Sequence, residues 1–340
     1  MTNQKDQRNI LLIDGLNSLF QLNHNNTPLK DLLWTFVTDL KRIMGELHIN
    51  RAVLVYDKGE SRYRTRLHPG YKGERKARRA KEAVENPAKA AADARFRDAA
   101  FRVIGQLPAF GIENLCIPNV EADDVIAYMA NHLDTDLYQA YIMSTDTDLL
   151  QLLRPGVQQR GYSKTMGLKP TDVKIPDKVW VNVKRFTDAY GLAPHQYTHM
   201  KALAGDRGDS VPSPPGLGEG WALKLIQTYG SLEGVRANLD DLQIPRLPAR
   251  VKESLKANWE LVEQAFELVN LRHTPEQEQA IFTPQEIAIV TEAMERFAEA
   301  PQLHDELLKE MLLEAGKVGV FKAYEVWRMP LSGQTATCAW

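Results

Sequence analysis

Carboxylates recur in this sequence just after short apolar runs. Asp14 closes the run Ile10 to Ile13, and Asp57 follows Ala52 to Tyr56. Glu121, Asp123 and Asp124 follow Ile112 to Ile117, and Asp146 and Asp148 follow Ala140 to Met143. In a parallel α/β sheet the carboxyl ends of the strands share one edge, where ligands bind. These seven acids are therefore expected to converge there. Packed that closely, carboxylates repel one another and resist ionisation unless cations neutralise them. Oxygen donors without His or Cys favour hard ions, Mg²⁺ or Mn²⁺, over zinc. Asp206 and Asp209, in Ala204-Gly-Asp-Arg-Gly-Asp-Ser210, bring the set to nine if their turn folds back on the same edge. Nine are more than one ion needs, and a two-metal phosphoryl-transfer site uses such a set. Singly, each acid has an ordinary explanation as a turn former, an N-cap or a helix-dipole partner. The recurrence after all four strands favours the chemical reading.

A second chemistry lies in the distribution of positive charge. Between Arg62 and Lys81 stand nine basic residues, Arg62, Arg64, Arg66, Lys72, Arg75, Lys76, Arg78, Arg79 and Lys81, against the single acid Glu74. This block carries +8 in a chain whose net charge is −2, so the remainder carries −10. Such a division suits a protein that holds a polyanion in one place and gathers cations in another. It excludes binding driven by uniform positive charge. Further on, Gly216-Leu217-Gly218 precedes an amphipathic stretch containing Trp221 and Lys224, then Tyr229-Gly230-Ser231. Glycines around an apolar residue at a helix start let backbone N–H groups approach a phosphate closely. This is the helix-hairpin-helix pattern of DNA binding without base readout, so preference comes from nucleic-acid shape.

The elements that must position these groups are legible in outline. Leu32, Leu33, Phe36, Val37, Leu40, Ile43, Met44 and Leu47 recur at helical spacing between the first two strands, giving a strand–helix–strand unit and a parallel sheet. Ala88 to Leu107 reads as a helix that could join the basic stretch across Pro87. Asp123 to Leu133 reads as another, and the second half is mostly helical. Residues 284 to 314 read as two amphipathic helices, Phe321 to Trp327 as a late strand, and the last dozen residues as a disordered tail.

At 340 residues the chain has room for about two domains, each able to bury a core. Two cysteines, Cys116 and Cys338, make neither a disulfide framework nor a cysteine-rich zinc site, and suit a reducing compartment. Neither a cleavable signal nor an apolar run of roughly 18 residues is visible. The expectation is a soluble cytoplasmic protein without a membrane partner, monomeric by default.

Five motifs, LLIDGLNSLF, VYDKGESRYR with YKGER, VEADDVIAYMA, STDTDLLQLL and GDRGDSVPSPPGLG, occur in an order that resembles the 5′ nuclease or flap endonuclease superfamily, most closely its free-standing phage and bacterial 5′–3′ exonucleases. The resemblance covers roughly residues 10 to 270. It implies an α/β fold with a twisted, mostly parallel sheet, a helical arch, and a helix-three-turn-helix element that binds duplex. The implied divisions are a PIN-like nuclease core at 1–190 with an arch at about 60–107, a duplex-binding region at 191–275, and C-terminal helices with a tail at 276–340. It implies hydrolysis of phosphodiester bonds near 5′ ends or junctions in DNA, with RNA–DNA hybrid as a further substrate. The setting it suggests is replication, primer removal or phage-mediated DNA degradation, in a bacterial or phage-infected cytoplasm.

By the same resemblance, Asp14, Asp57, Glu121 and Asp123 match a first metal cluster, and Asp123, Asp124, Asp146, Asp148, Asp206 and Asp209 a second. Tyr71, Lys72 and Arg75 match the base of the arch, where the cations face the scissile phosphate and an aromatic can stack on an unpaired base; packing of the arch base is an equal reading for Tyr71. Arg62, Arg64, Arg66, Lys76, Arg78 and Arg79 would line the path of a single strand. Lys201 matches a lysine near the phosphate path, and Ser210 a position that holds potassium in some relatives. The hairpin departs from the pattern at Glu219 and Gly220, where a phosphate-binding lysine is customary; Lys224 stands one turn on. A PIN-like single-strand ribonuclease would ordinarily lack the arch and hairpin. A catalytically silent junction-binding protein would be expected to have lost Asp57, Asp146 or Asp206.

Overall fold

The structure, a computed structural model, describes residues 7–24, 27–162, 178–299 and 311. The chain divides into two compact units: Met1–Lys58, Ala91–Thr145 and Phe282–Trp340 form the first, and Gly59–Ala90 with Asp146–Ile281 form the second. The chain thus enters each unit more than once, whereas consecutive domains were expected from the sequence.

The first unit is built on strands β1 (Arg8–Asp14), β2 (Ile49–Val55), β3 (Glu113–Leu115) and β4 (Tyr138–Met143). They lie in the order β3-β2-β1-β4 and pair in parallel throughout. Five consecutive residues of β1, Ile10 to Asp14, are buried, as a parallel strand covered on both faces requires. The helix Leu32–Glu46 turns Leu32, Phe36, Val37, Leu40, Ile43 and Met44 into the interior. Each such side chain contributes roughly 1.5–3 kcal/mol on burial, so Leu40→Ala, which empties part of that stripe, should cost about 2–5 kcal/mol. Glu113 is flanked by Arg51, 2.9 Å away, and by Arg296. The helix Pro284–Glu295, opened by a reciprocal Thr283–Glu286 cap, carries the chain to Arg296, so the C-terminal region braces this unit. The continuation of the expected second helix lies outside the described residues apart from Met311, as do the expected strand at Phe321 to Trp327 and the tail.

The second unit carries helices Arg62–Leu67, Gly73–Glu85, Val183–Tyr190, Pro194–Ala204, Glu219–Tyr229, Ala249–Ala257 and Trp259–Val269. It also has an antiparallel pair, β5 (Val157–Tyr162) and β6 (Lys178–Val181), that the sequence reading missed. The basic stretch and the alanine-rich stretch are separate helices. Asn86, at φ −139° and ψ 73°, leaves the helical conformation, and Pro87 opens the next helix, Pro87–Gln106; the ring of a proline disfavours helical backbone at the residue before it. The helix Gly73–Glu85 buries none of its residues.

In this unit Gln151 is fully buried and both ends of its amide are hydrogen-bonded. Nε2 donates to the Val269 carbonyl at 2.9 Å, while Oε1 accepts from the Thr198 hydroxyl at 2.7 Å and the Leu271 N–H at 2.8 Å. A buried amide is tolerated only when so satisfied, and this one ties the 3₁₀ turn Thr147–Leu152 to two helices.

Candidate active site

In the first unit the parallel register sets the strand ends side by side. Asp14 pairs with Val55 at the end of β1, and Ile13 with Met143, which sets Asp14 beside the exits of β2 and β4. Asp14 is 8% exposed. Its Oδ2 accepts from the Ser144 hydroxyl at 2.8 Å and its Oδ1 from the Asn17 N–H at 3.2 Å. Asp57, two residues past β2, accepts the Ala122 N–H at 2.5 Å, which fixes it against the start of the helix Ala122–His132. Glu121 is the N-cap residue of that helix, and Asp123 and Asp124 lie in its first turn. Asp124 is fully buried. After β1 the helix Gly15–His24 can open this close to the sheet only because Gly15 lacks a side chain: a Cβ there would come within 2.6 Å of Leu54 Cδ2 and 3.1 Å of the Val55 carbonyl.

Asn17 and Ser144 were not singled out from the sequence. Asn17, with its neighbour Ser18, also holds the end of β4 and the segment after it, for Asn17 Oδ1 accepts the Thr145 N–H at 3.1 Å and Ser18 donates to the Met143 carbonyl at 3.0 Å. The available signal was the run of small polar residues beside each acid, Asp14-Gly-Leu-Asn17-Ser18 and Ser144-Thr145-Asp146.

The second unit gathers Asp146, Asp148, Asp206 and Asp209 with three cations. Asp146 caps the turn Thr147–Leu152 by accepting the Asp148 N–H at 2.9 Å, so its ordinary role as a cap is realised. Lys201 lies on the helix Pro194–Ala204 with only 6% of its side chain exposed. Its ammonium stands 2.9 Å from Asp148 Oδ1 and 3.1 Å from Asp206 Oδ2. Burial alone would push Lys201 down, but these carboxylates hold it well above the ordinary lysine range. Asp206 is pushed up by burial but held lower overall by Lys201 and by the Asp209 and Gly208 N–H groups. Asp148 stays above the ordinary carboxylate range, raised first by burial and then by Asp146 and Asp206, despite Lys201. One ammonium does not balance this cluster.

Asp209 faces Tyr71, Lys72 and Arg75, the residues expected at the arch base. Arg75 approaches its Oδ1 at 2.6 Å, the Tyr71 hydroxyl donates to its Oδ2 at 3.3 Å, and Lys72 Nζ is 3.9 Å away. The turn that presents Asp206 and Asp209 needs Gly205, whose φ is +66° and whose missing Cβ would meet the Pro212 and Val211 carbonyls at 2.8 Å.

Several expected roles change. Arg64 is 3% exposed and donates from Nε to the Leu268 carbonyl at 2.9 Å, while Arg62 donates to the Ile281 carbonyl at 2.6 Å. Both are spent on carbonyls of the fold and are withdrawn from the expected strand path; Arg66, Lys76, Arg78 and Arg79 remain exposed. Tyr71 is 7% exposed within the apolar core of this unit, so its ring cannot stack on an unpaired base in this arrangement. Lys201 is a buried counter-ion rather than a surface phosphate contact. Leu217 plugs the core at 3% exposure between Gly216, with φ +83°, and Gly218, around whose Cβ position the space is open. Lys224 lies over the Trp221 ring, 4.6 Å from its centroid.

Among the described residues, no three carboxylate, imidazole or thiolate groups stand close enough to hold an ion by themselves. The donor set still fits a magnesium-type ion, which keeps several waters and takes one or two carboxylates directly together with substrate phosphate. The excess of carboxylate around Lys201 points the same way, since an added cation would relieve it.

The model of the 5′–3′ exonuclease N-terminal resolvase-like domain matches residues 9–178, and that of the 5′–3′ exonuclease C-terminal SAM fold matches residues 192–288. DNA polymerase I of Bacillus caldotenax is 27% identical over 273 residues, 78% of this chain and 28% of that protein. The thermostable DNA polymerase I of Thermus thermophilus is 35% identical over 163 residues, 48% of this chain and 17% of that protein. The chain thus spans under a third of the length of these relatives. Among solved structures, T5 5′-exonuclease with zinc ions bound aligns with a TM-score of 0.71 at 23% identity, covering 86% of this chain and 100% of that one. The Holliday junction-resolving enzyme GEN1, in complex with product DNA and Mg²⁺, aligns at 0.56 and 15% identity, covering 95% of this chain and 71% of that one. At these identities the likeness is one of fold.

Proposed function

The chain belongs to the 5′–3′ exonuclease family, and from that premise we propose that it is a structure-specific 5′ nuclease, hydrolysing phosphodiester bonds in DNA near 5′ ends and at flap junctions. The observation that carries the proposal is the fixed edge of the first unit, where Ser144 and Asn17 orient Asp14 and the Ala122 N–H orients Asp57. Carboxylates held in place by donors from the fold are prepared for a cation, and they give the site its preference for hard ions.

Asp14, Asp57, Glu121 and Asp123 would hold one divalent ion, and Asp146, Asp148, Asp206 and Asp209 a second, Mg²⁺ with Mn²⁺ as its substitute. When bound, such ions supply a nucleophilic water at neutral pH and neutralise charge on the phosphate and leaving oxygen. Lys72 and Arg75 present fixed positive charge to the phosphate, worth most at the moment its charge develops. The exposed cations of Gly73–Glu85 hold the 5′ strand, and the backbone at Gly216 to Gly218 grips the duplex, with potassium near Ser210. Flapped or overhanging DNA is the main substrate, RNA–DNA hybrid a further one, and the protein acts as a cytoplasmic monomer. Among the described residues, no helix is long and apolar enough to cross a membrane.

The test is cleavage of a labelled 5′-flap duplex beside blunt duplex and single-stranded RNA, in Mg²⁺ and in EDTA. Mg²⁺-dependent cutting near the flap junction is expected. Tight binding without cutting, or cutting confined to the RNA, would overturn the reading.

A further inference from the structure

Helix Gly73–Glu85 begins in a way that its own sequence does not support. Its N-cap residue, Lys72, has φ +57° and makes no side-chain cap. A lysine side chain carries only donors, so it has nothing to offer the free N–H groups of a first turn. The Gly73 N–H is met locally by the Gly70 carbonyl at 2.8 Å, but the Glu74 N–H and the N–H of the N-cap itself are met from another part of the second unit. The Glu74 N–H donates to Ser210 Oγ at 3.1 Å, and the Lys72 N–H donates to the Asp209 carbonyl at 2.8 Å. Ser210 itself sits at φ +59°, a left-handed conformation that costs a non-glycine residue energy and persists only where its surroundings impose it.

We propose that Asp209 and Ser210 form a clamp that seats the first turn of this helix, so that Ser210 positions the arch base for the nuclease reaction. The clamp has two halves. One depends on charge: the Asp209 carboxylate holds Arg75, Lys72 and the Tyr71 hydroxyl. The other does not: the Asp209 carbonyl and the Ser210 hydroxyl hold backbone N–H groups. A phosphate or cation that competes for the Asp209 carboxylate can free Arg75 and Lys72 while the helix stays seated. The segment that presents Asp206 and the segment that presents Lys72 therefore keep their register through binding. The clamp deepens the nuclease reading, but its first readout needs no activity.

The experiment is hydrogen–deuterium exchange on the full chain, in EDTA, with either sodium or potassium as the monovalent salt. Serine and alanine are similarly disfavoured at positive φ, so Ser210→Ala isolates the hydroxyl. It should raise exchange in a peptide covering residues 73–77 about fivefold, the size of a lost cap, equally in both salts. Ser210→Asn, which tolerates this backbone and supplies a side-chain acceptor, should restore protection. Ser210→Gly relieves the backbone and should fold even if Ser210→Ala does not, yet still lose protection. On a flap substrate, Ser210→Ala should lower kcat with little change in KM, and Ser210→Asn should recover it. Unchanged exchange in both Ser210→Ala and Ser210→Gly, or no rescue by Ser210→Asn, would overturn the clamp. So would a loss confined to potassium, which would assign the hydroxyl to an ion. If exchange behaves as expected but no flap is cut, the clamp stands and the nuclease reading fails.

Discussion

Lys201 and Asp148 form an ion pair of 2.9 Å in which the lysine side chain is only 6% exposed. Asp206, 3.1 Å from the same ammonium, shares it. Removing the lysine leaves carboxylates in a poorly hydrated place without their partner. Lys201→Met should therefore destabilise the metal-free protein by about 3–5 kcal/mol, measured by urea unfolding in EDTA. Millimolar Mg²⁺ should recover part of that loss. A loss of equal size with and without Mg²⁺ would mean that packing, not charge compensation, is what Lys201 contributes.

Binding and chemistry should separate at the acids. Asp57→Asn and Asp146→Asn each keep the shape of the side chain while removing its charge. Each should lower flap cleavage about a hundredfold or more, with binding to the same flap changed by less than about threefold because phosphate contacts elsewhere carry it. Normal cleavage by Asp146→Asn in Mg²⁺ would remove the second cluster from the reaction.

Two arginines of the basic block should behave oppositely. Arg64, whose guanidinium is buried against the Leu268 carbonyl, should cost about 1.5–3 kcal/mol of stability as Arg64→Ala and leave the salt dependence of DNA binding unchanged. Arg78, exposed on Gly73–Glu85, should leave stability unchanged as Arg78→Ala and reduce the slope of log K against log salt by about one. Urea titration and binding at several salt concentrations distinguish the two.

His199 predicts a pH effect. Burial, which outweighs the nearby Glu233, lowers its pKa below the ordinary 6.5, and its Nδ1 accepts from the Leu232 N–H at 3.4 Å. The unfolded chain then binds a proton more readily than the folded one. The stabilising contribution is present above about pH 6.5 and is lost as pH falls through the lower folded value. The midpoint of thermal unfolding should drop over that window, and His199→Gln should flatten the drop. An unchanged profile in His199→Gln would assign the acid sensitivity to other groups.

What the sequence disclosed, and what it withheld, follows from the range of each interaction. Asp14 and Asp57 could be placed because they end apolar runs, and parallel pairing brings strand ends together whatever else the chain does. The break at Pro87 depends on one neighbour and was just as local, yet the sequence reading let the two helices join across it. Arg64 could not be read correctly: in a run of basic residues it resembles a solvated side chain, and its partner Leu268 lies 204 residues away. Tyr71 and Lys201 fail for the same reason, each being buried by residues remote in sequence. The pair β5 and β6 escaped because β5 is mostly polar and β6 is only four residues long, so neither carries much periodic signal.

The amide of Gln151 also has a consequence for the order in which activity can arise. Its carbonyl oxygen accepts from Leu271, 120 residues further along, and the turn it anchors carries Asp148. Contacts of such sequence separation form late, because the intervening chain must first be closed. On the ribosome, where a chain emerges from its N-terminus at roughly 5–20 residues per second, the sheet of the first unit has all four strands by Met143 while the anchor for Asp148 is still unsynthesised. A nascent chain is thereby kept from completing its second acid cluster until nearly all of the second unit has been made, a delay that, on the proposed nuclease reading, withholds cutting power from an unfinished chain.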